Sequence, residues 1–214
     1  MSGPGLKGLY AITDGTLTPG PRLTAAVEAA IRGGARVVQY RDKSTDAARR
    51  QRETAALAGL CAGHSVSFIV NDDVELALAS GADGVHLGRE DTALAAARVR
   101  LGPRAIIGVS CYDSLETAVA SAHGGADYVA FGSFYASESK PGAVRAPLEL
   151  LARARRALGI PVCAIGGITP ENGGALLEAG ADMLAVIRGV FATGDVEAAA
   201  RGYARLFSPP MVRP

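Results

Sequence analysis

The sequence predicts an α/β fold, a single (βα)8 TIM barrel, and three observations carry that prediction. Short β-branched or apolar runs alternate with longer amphipathic stretches from end to end, the pattern of parallel strands joined by crossover helices. Eight such runs can be counted. A Gly-Ala pair recurs at Gly34-Ala35, Gly81-Ala82, Gly125-Ala126 and Gly180-Ala181, ahead of every second run. A barrel assembled from βαβα units repeats in this way, with glycine supplying the left-handed residue that closes each helix.

In chain order, strands are expected at Gly8 to Thr13, Val37 to Arg41, Ser67 to Asn71, Gly84 to Leu87, Ile106 to Ser110, Tyr128 to Gly132, Val162 to Ile165 and Met183 to Ile187. Stretches rich in Ala, Leu, Glu and Arg predict helices at Leu23 to Ile31, Thr45 to Cys61, Leu115 to His123, Leu148 to Leu158 and Val196 to Phe207. The segment after the third strand, Val74 to Ala79, reads as the shortest. An open doubly wound sheet would also alternate strand and helix. Eight strands within 214 residues, without a reversal in connection length, favour closure. The expected organisation is one domain over 1–214, with the barrel at 7–207 and a loosely held tail at 208–214.

Apolar residues make up 49% and charged residues 20% of the chain, which argues against disorder or a fibrous protein. A formal net charge of +1 leaves no basic stripe for a nucleic acid and no polybasic run for anionic lipid. Met1 to Leu6 carries no apolar segment of signal-peptide length, and no stretch approaches the roughly 20 apolar residues of a spanning helix, so a cytoplasmic protein is expected. Cys61, Cys111 and Cys163 show neither CxxC nor CxxH spacing and read as reduced, structural thiols.

Barrel chemistry collects at the C-terminal strand ends and the loops that follow. At the second strand the two-residue period puts Gln39, Arg41 and Lys43 on one face; a solvated rim pairing of these cations with Asp42 is the plainer alternative. Asp72 after the third strand and Asp91 after the fourth are hard oxygen ligands of the kind Mg2+ takes alongside substrate phosphates, while Asp73 suits the cap of the next helix. His86 points into the upper barrel and reads as a satisfied core histidine. Ser110 closes the fifth strand with a hydroxyl. The long stretch Ser133 to Pro147 contains Ser137-Glu138-Ser139-Lys140, donors for a pyrophosphate on a lid-like loop. Gly166-Gly167 after the seventh strand and Ile187-Arg188 after the eighth occupy the customary barrel phosphate site. Thr169 is placed to cap the following helix, with Pro170 in its first turn.

These residues stand in motifs that resemble one family over nearly the whole length. The motifs are Leu9-Tyr10-Ala11-Ile12-Thr13-Asp14, Gln39-Tyr40-Arg41-Asp42-Lys43, Asn71-Asp72, Gly81 to Gly88 with Glu90-Asp91, Gly108-Val109-Ser110 and Ala164 to Thr169. The chain resembles the thiamine phosphate synthases. What the resemblance implies is a transferase that condenses hydroxymethylpyrimidine diphosphate with a thiazole (carboxythiazole) phosphate, giving thiamine monophosphate and pyrophosphate. It assigns the pyrimidine diphosphate to the Gln39-Tyr40-Arg41-Asp42-Lys43 strand end, Asn71, Ser110 and Lys140. It assigns one Mg2+ per active site to Asp72 and Asp91. The thiazole phosphate falls to the Ser137-Glu138-Ser139 lid, Gly167 and the Ile187-Arg188 backbone. Arg41, Lys43, Ser110 and Lys140 are the expected catalytic residues. The lid keeps two hydroxyls where the family's usual pattern reads Pro-Thr-x-Thr-Lys, and Arg188 stands where a serine is frequent.

Residue chemistry and resemblance imply the same mechanism: metal and cations stabilise departing pyrophosphate, and the thiazole nitrogen attacks the pyrimidine methylene cation left behind. Two phosphorylated small molecules are the expected partners. A thiazole tautomerase of the same fold and a non-catalytic thiamine phosphate-binding protein are the rival readings; the first has no use for the set Arg41, Lys43, Asp72, Asp91 and Lys140, and the second would bind product without turnover.

Overall fold

A computed structural model describes residues 6–88, 92–136 and 145–208. The strands are β1 (Gly8–Ile12), β2 (Ala35–Tyr40), β3 (Ser67–Asn71), β4 (Gly84–Leu87), β5 (Ile106–Tyr112), β6 (Tyr128–Phe131), β7 (Val162–Ile165) and β8 (Met183–Val186). All neighbours pair in parallel and in chain order, and β8 returns to β1 through Gly8↔Met183 and Leu9↔Leu184. That last pairing rules out the open sheet.

The helices are α1 (Leu23–Arg32), α2 (Ala47–Gly63), α3 (Val74–Ser80), α4 (Leu94–Leu101), α5 (Leu115–His123), α6 (Glu149–Ala157), α7 (Gly173–Glu178), α8 (Arg188–Phe191) and α9 (Val196–Ala204). Four of them begin on a side chain that accepts a backbone N–H three residues on: Asp46, Asp73, Ser114 and Asp195. Helix α4 lacks such a cap, since Ala93 precedes it, which is why its start carries no sequence signal. The expectation that the segment after the third strand is shortest is corrected: α7 has six residues and α8 four. Gly173 and Gly174 open α7, and glycine is a weak helix former. Thr169 does not cap α7 as expected. It lies in a turn three residues before the Asn172 N-cap, its backbone N–H donating to Asn172 Oδ1 at 2.8 Å.

The Gly-Ala repeat has the anticipated geometry and a further part. Gly34, Gly81, Gly125 and Gly180 hold φ of 106°, 70°, 93° and 116°. The alanine after each of the last three sends its N–H back to a carbonyl in the preceding helix at 3.0 to 3.1 Å. Aspartate follows: Asp83, Asp127 and Asp182 each accept the N–H that opens the neighbouring odd strand, from Phe68, Ile107 and Val162 at 2.7 to 3.0 Å. Three carboxylates thus tie β3, β5 and β7 to β4, β6 and β8 at the bottom of the barrel.

Burial falls into two clusters. The larger lies between sheet and helices, built from the outward residues of each strand such as Leu9, Val38, Val70 and Leu184. The smaller fills the barrel and includes Tyr10, Ile12, Ile69, Tyr128, Cys163 and Met183. Cys61, Cys111 and Cys163 are all free and buried. Among the described residues, no helix is long and apolar enough to cross a membrane.

Candidate active site

Parallel strands in a closed ring bring all eight C-terminal ends to one rim, and the side chains there sort by strand parity. On β2, Gln39 points inward and is 2% exposed. Beyond the strand, the Arg41 N–H donates to Thr13 Oγ1 at 2.9 Å, and its guanidinium faces the Asp14 carboxylate at 3.7 Å. Lys43 Nζ donates to Asp72 Oδ2 at 2.6 Å. Asp72 follows β3 at φ 64°, and its N–H donates to the His86 carbonyl at 2.9 Å. The ends of β1, β2 and β3 therefore present two cations and two carboxylates side by side. Asp73 turns away and caps α3.

The alternate residues of the same segment face outward. Tyr40 is 2% exposed and donates its hydroxyl to Glu53 of α2 at 2.6 Å. Asp42 bonds Arg49 and the Ser44 N–H. Burial pushes the Asp42 carboxyl up, but those bonds outweigh it and hold it below the usual carboxylate range. The structure thus separates Tyr40 and Asp42, as side chains, from the mouth that Gln39, Arg41 and Lys43 surround. It also overturns the rim pairing of Arg41 and Lys43 with Asp42: their partners are Asp14 and Asp72.

Beneath the rim lies a polar floor. Gln39 Nε2 donates to the Tyr10 hydroxyl at 2.7 Å, Tyr10 meets the Tyr128 hydroxyl at 2.8 Å, Tyr128 meets His86 Nδ1 at 2.9 Å, and His86 Nε2 meets Ser110 Oγ at 2.9 Å. Five residues from β2, β1, β6, β4 and β5 form one hydrogen-bonded chain across the barrel. His86 also stacks on the Tyr128 ring, with centroids 5.5 Å apart, so it is the satisfied histidine the sequence suggested. Gly108 makes the floor possible: a Cβ there would stand 2.0 Å from Tyr128 Cζ. Burial drives both tyrosine phenols well above their ordinary range, so they act as neutral hydroxyls. Asn71 sits at the rim beside this floor, paired in register with His86.

Opposite the ion cluster, Gly166 (φ 107°) and Gly167 (φ 61°) follow β7. A Cβ on Gly167 would stand 2.2 Å from the Ala136 carbonyl oxygen. The Tyr135 N–H donates to the Gly166 carbonyl at 3.0 Å. The two glycines therefore let the segment after β6 lie directly on the β7 loop. Ile187 follows β8 as the N-cap of α8, which Arg188 opens with an exposed side chain. Asp91, Ser137, Glu138, Ser139 and Lys140 lie outside the described residues. A cavity of about 240 Å³ opens next to Ser110 between the ends of β4 and β5, lined by Leu87, Gly88, Leu94, Val109 and Tyr112 among others.

Among the described residues there is no cluster of three or more metal-ligating side chains. Asp72 nevertheless offers a rim carboxylate beside a cation, which fits an ion held by one or two carboxylates plus phosphate oxygens. Tyr10 and Tyr128 join the site although no sequence motif marks them as site residues. Each carries a hydroxyl on the inward register of an otherwise apolar strand, GLYAI and YVAF.

Comparison with known proteins agrees with the motifs. Residues 9–190 match the family model described as thiamine monophosphate synthase. The thiamine-phosphate synthase of Thioalkalivibrio sulfidiphilus is 55% identical over 206 residues, covering 96% of this chain and 98% of that one. That of Chromobacterium violaceum is 55% identical over 204 residues, covering 95% and 98%. Among solved structures, thiamine phosphate pyrophosphorylase from Pyrococcus furiosus superposes with a TM-score of 0.84 at 36% identity, over 93% of this chain and 94% of that one.

Proposed function

Because the chain belongs to the thiamine monophosphate synthase family and is a transferase, we propose that it joins hydroxymethylpyrimidine diphosphate to a thiazole or carboxythiazole phosphate. The products are thiamine monophosphate and pyrophosphate. One observation carries this reading: Arg41, Lys43 and Asp72 converge on a rim that encloses a neutral, hydrogen-bonding floor. An anionic diphosphate suits the rim, and a flat polar heterocycle suits the floor.

The bond that breaks joins the pyrimidine methylene carbon to the diphosphate oxygen, which leaves with the electron pair. The bond that forms joins that carbon to the thiazole nitrogen. No protein nucleophile is needed, in keeping with three buried thiols. Arg41 and Lys43 neutralise charge as it builds on the leaving group, the service that cations fixed at a phosphate site provide. Both cations already rest against carboxylates, so the diphosphate exchanges one anionic partner for another. The Lys43 side chain is 61% accessible and that of Asp72 27%, and a partly solvated pair of this kind is weak enough to open on binding. Asp72 and Asp91 would hold Mg2+, which supplies Lewis-acid stabilisation of phosphate oxygens when bound. Gly167 and the Ile187-Arg188 backbone suit the thiazole phosphate, to which the resemblance adds Ser137 and Ser139, while it gives Lys140 to the diphosphate. Three reduced cysteines are consistent with a cytoplasmic setting.

Incubating the purified protein with both phosphorylated heterocycles, with and without Mg2+, tests the reading. Oxidation of the mixture should give thiochrome-type fluorescence only when both substrates and metal are present. Product binding without turnover would instead identify a binding protein, and rearrangement of the thiazole alone would identify a tautomerase.

A further inference from the structure

The floor chain has a direction, and the direction follows from counting protons. Gln39 Nε2 is a donor only, so the Tyr10 oxygen accepts. The single Tyr10 proton is then free for the Tyr128 oxygen. Tyr128 in turn has one proton to give, and His86 Nδ1 takes it. An imidazole that accepts at Nδ1 carries its proton on Nε2, which donates to Ser110 Oγ. Any reversal of one link strands a buried hydroxyl proton or sets two donors face to face, and both are costly in a dry interior. The chain therefore switches only as a unit.

We propose that Tyr10, Tyr128 and His86 are positioning residues that fix the hydrogen-bonding sense of the two groups at the chain's ends. Ser110, with its oxygen occupied by His86 Nε2–H, turns its hydroxyl proton toward the mouth and is a donor there. Gln39, with its amide nitrogen committed to Tyr10, leaves Oε1 as an acceptor, and no described residue donates to it. These ends stand on β2 and β5, three strands apart around the ring. The floor thus selects a heterocycle that donates at one edge and accepts at the opposite edge. An aminopyrimidine does this, its exocyclic amine donating and the ring nitrogen across from it accepting; this ligand assignment rests on the proposed function, whereas the polarity of the chain does not.

The test is 15N NMR of the ligand-free, full-length protein labelled at histidine, which has three such residues, with His86 assigned through His86→Asn. At about pH 8, where an ordinary imidazole is neutral, His86 should show a bare Nδ1 and a protonated Nε2. Tyr128→Phe removes the donor to Nδ1 and should mix the two tautomers. It should also raise KM for the pyrimidine diphosphate by about tenfold, the scale of one lost buried hydrogen bond, while leaving KM for the thiazole phosphate unchanged. A purely structural role would shift both constants together, and that result overturns the proposal. Wild-type His86 protonated on Nδ1 also overturns it, even if Tyr128→Phe fails to fold. Should the expected tautomer be found in a protein that makes no thiamine phosphate, the chain's polarity stands and the functional reading falls.

Discussion

Gly108→Ala is the substitution whose cost can be worked most directly from the barrel interior. The new Cβ would lie 2.0, 2.3 and 2.4 Å from Cζ, Cε1 and the hydroxyl oxygen of Tyr128, well inside van der Waals contact, so the ring must move. Overpacking of a filled core costs about 2 kcal/mol. Displacing the Tyr128 hydroxyl from Tyr10 and His86 adds about 2 kcal/mol for disturbed buried hydrogen bonds. Restricting the unfolded chain returns up to about 1 kcal/mol. The net expectation is a loss of about 3 kcal/mol by equilibrium urea unfolding. Gly59→Ala is the control: it lies within α2 with nothing within 4 Å of its Cβ, and should be neutral or stabilising by up to about 1 kcal/mol. In a Tyr128→Leu background the Gly108→Ala penalty should shrink to under about 1 kcal/mol, since the clashing atoms are gone. A Gly108→Ala loss below about 1 kcal/mol in the wild-type background would refute the packing account of the floor.

Two further outcomes follow from the buried groups. Asp182→Ala should cost about 1.5 to 3 kcal/mol in urea, the range for hydrogen bonds to charged groups, because it strips the Val162 N–H of its acceptor and Arg155 of its partner; an unchanged midpoint would dismiss the barrel-bottom latch. Burial pushes the Cys61 thiol up to about 12 and Cys111 to about 11, so the native protein at pH 8 should resist a thiol reagent that labels all three cysteines in urea. The same shifts set a sign for stability. Between the ordinary thiol value of 9.0 and about 11 the folded chain keeps protons that the unfolded chain has lost, so this contribution is full below 9 and fades as pH rises through that window. Rapid native labelling at pH 8 would contradict the burial of these thiols.

The barrel was legible because its strands and its Gly-Ala repeat are local signals. Period-two patterning also put Gln39, Arg41 and Lys43 on the side of the strand that faces the mouth. What escaped the sequence depends on distant pairings. Nothing near Tyr10 announces Tyr128, 118 residues on, and the need for glycine at 108 is visible only once that ring is seen lying across it. Asp42 is the carboxylate nearest Arg41 and Lys43 in sequence, yet in three dimensions their partners are Asp14 and Asp72 from other strand ends. Helix α4 has no capping side chain to mark its start, and Thr169 is no cap because Asn172 sets the turn that delays α7 to Gly173. The aspartates after the Gly-Ala pairs were equally visible, but their role appears only when the neighbouring strand supplies an N–H.

Metal-dependent release of pyrophosphate in wild type and Asp72→Asn, measured with both substrates present, addresses the central claim most directly. The wild-type protein should form pyrophosphate in step with thiamine monophosphate, and the rate should be lower by roughly 100-fold or more in Asp72→Asn, the scale of several kcal/mol of lost charge stabilisation. Asp91→Asn should behave alike. Near-normal release in both variants would contradict the rim as the seat of the leaving group.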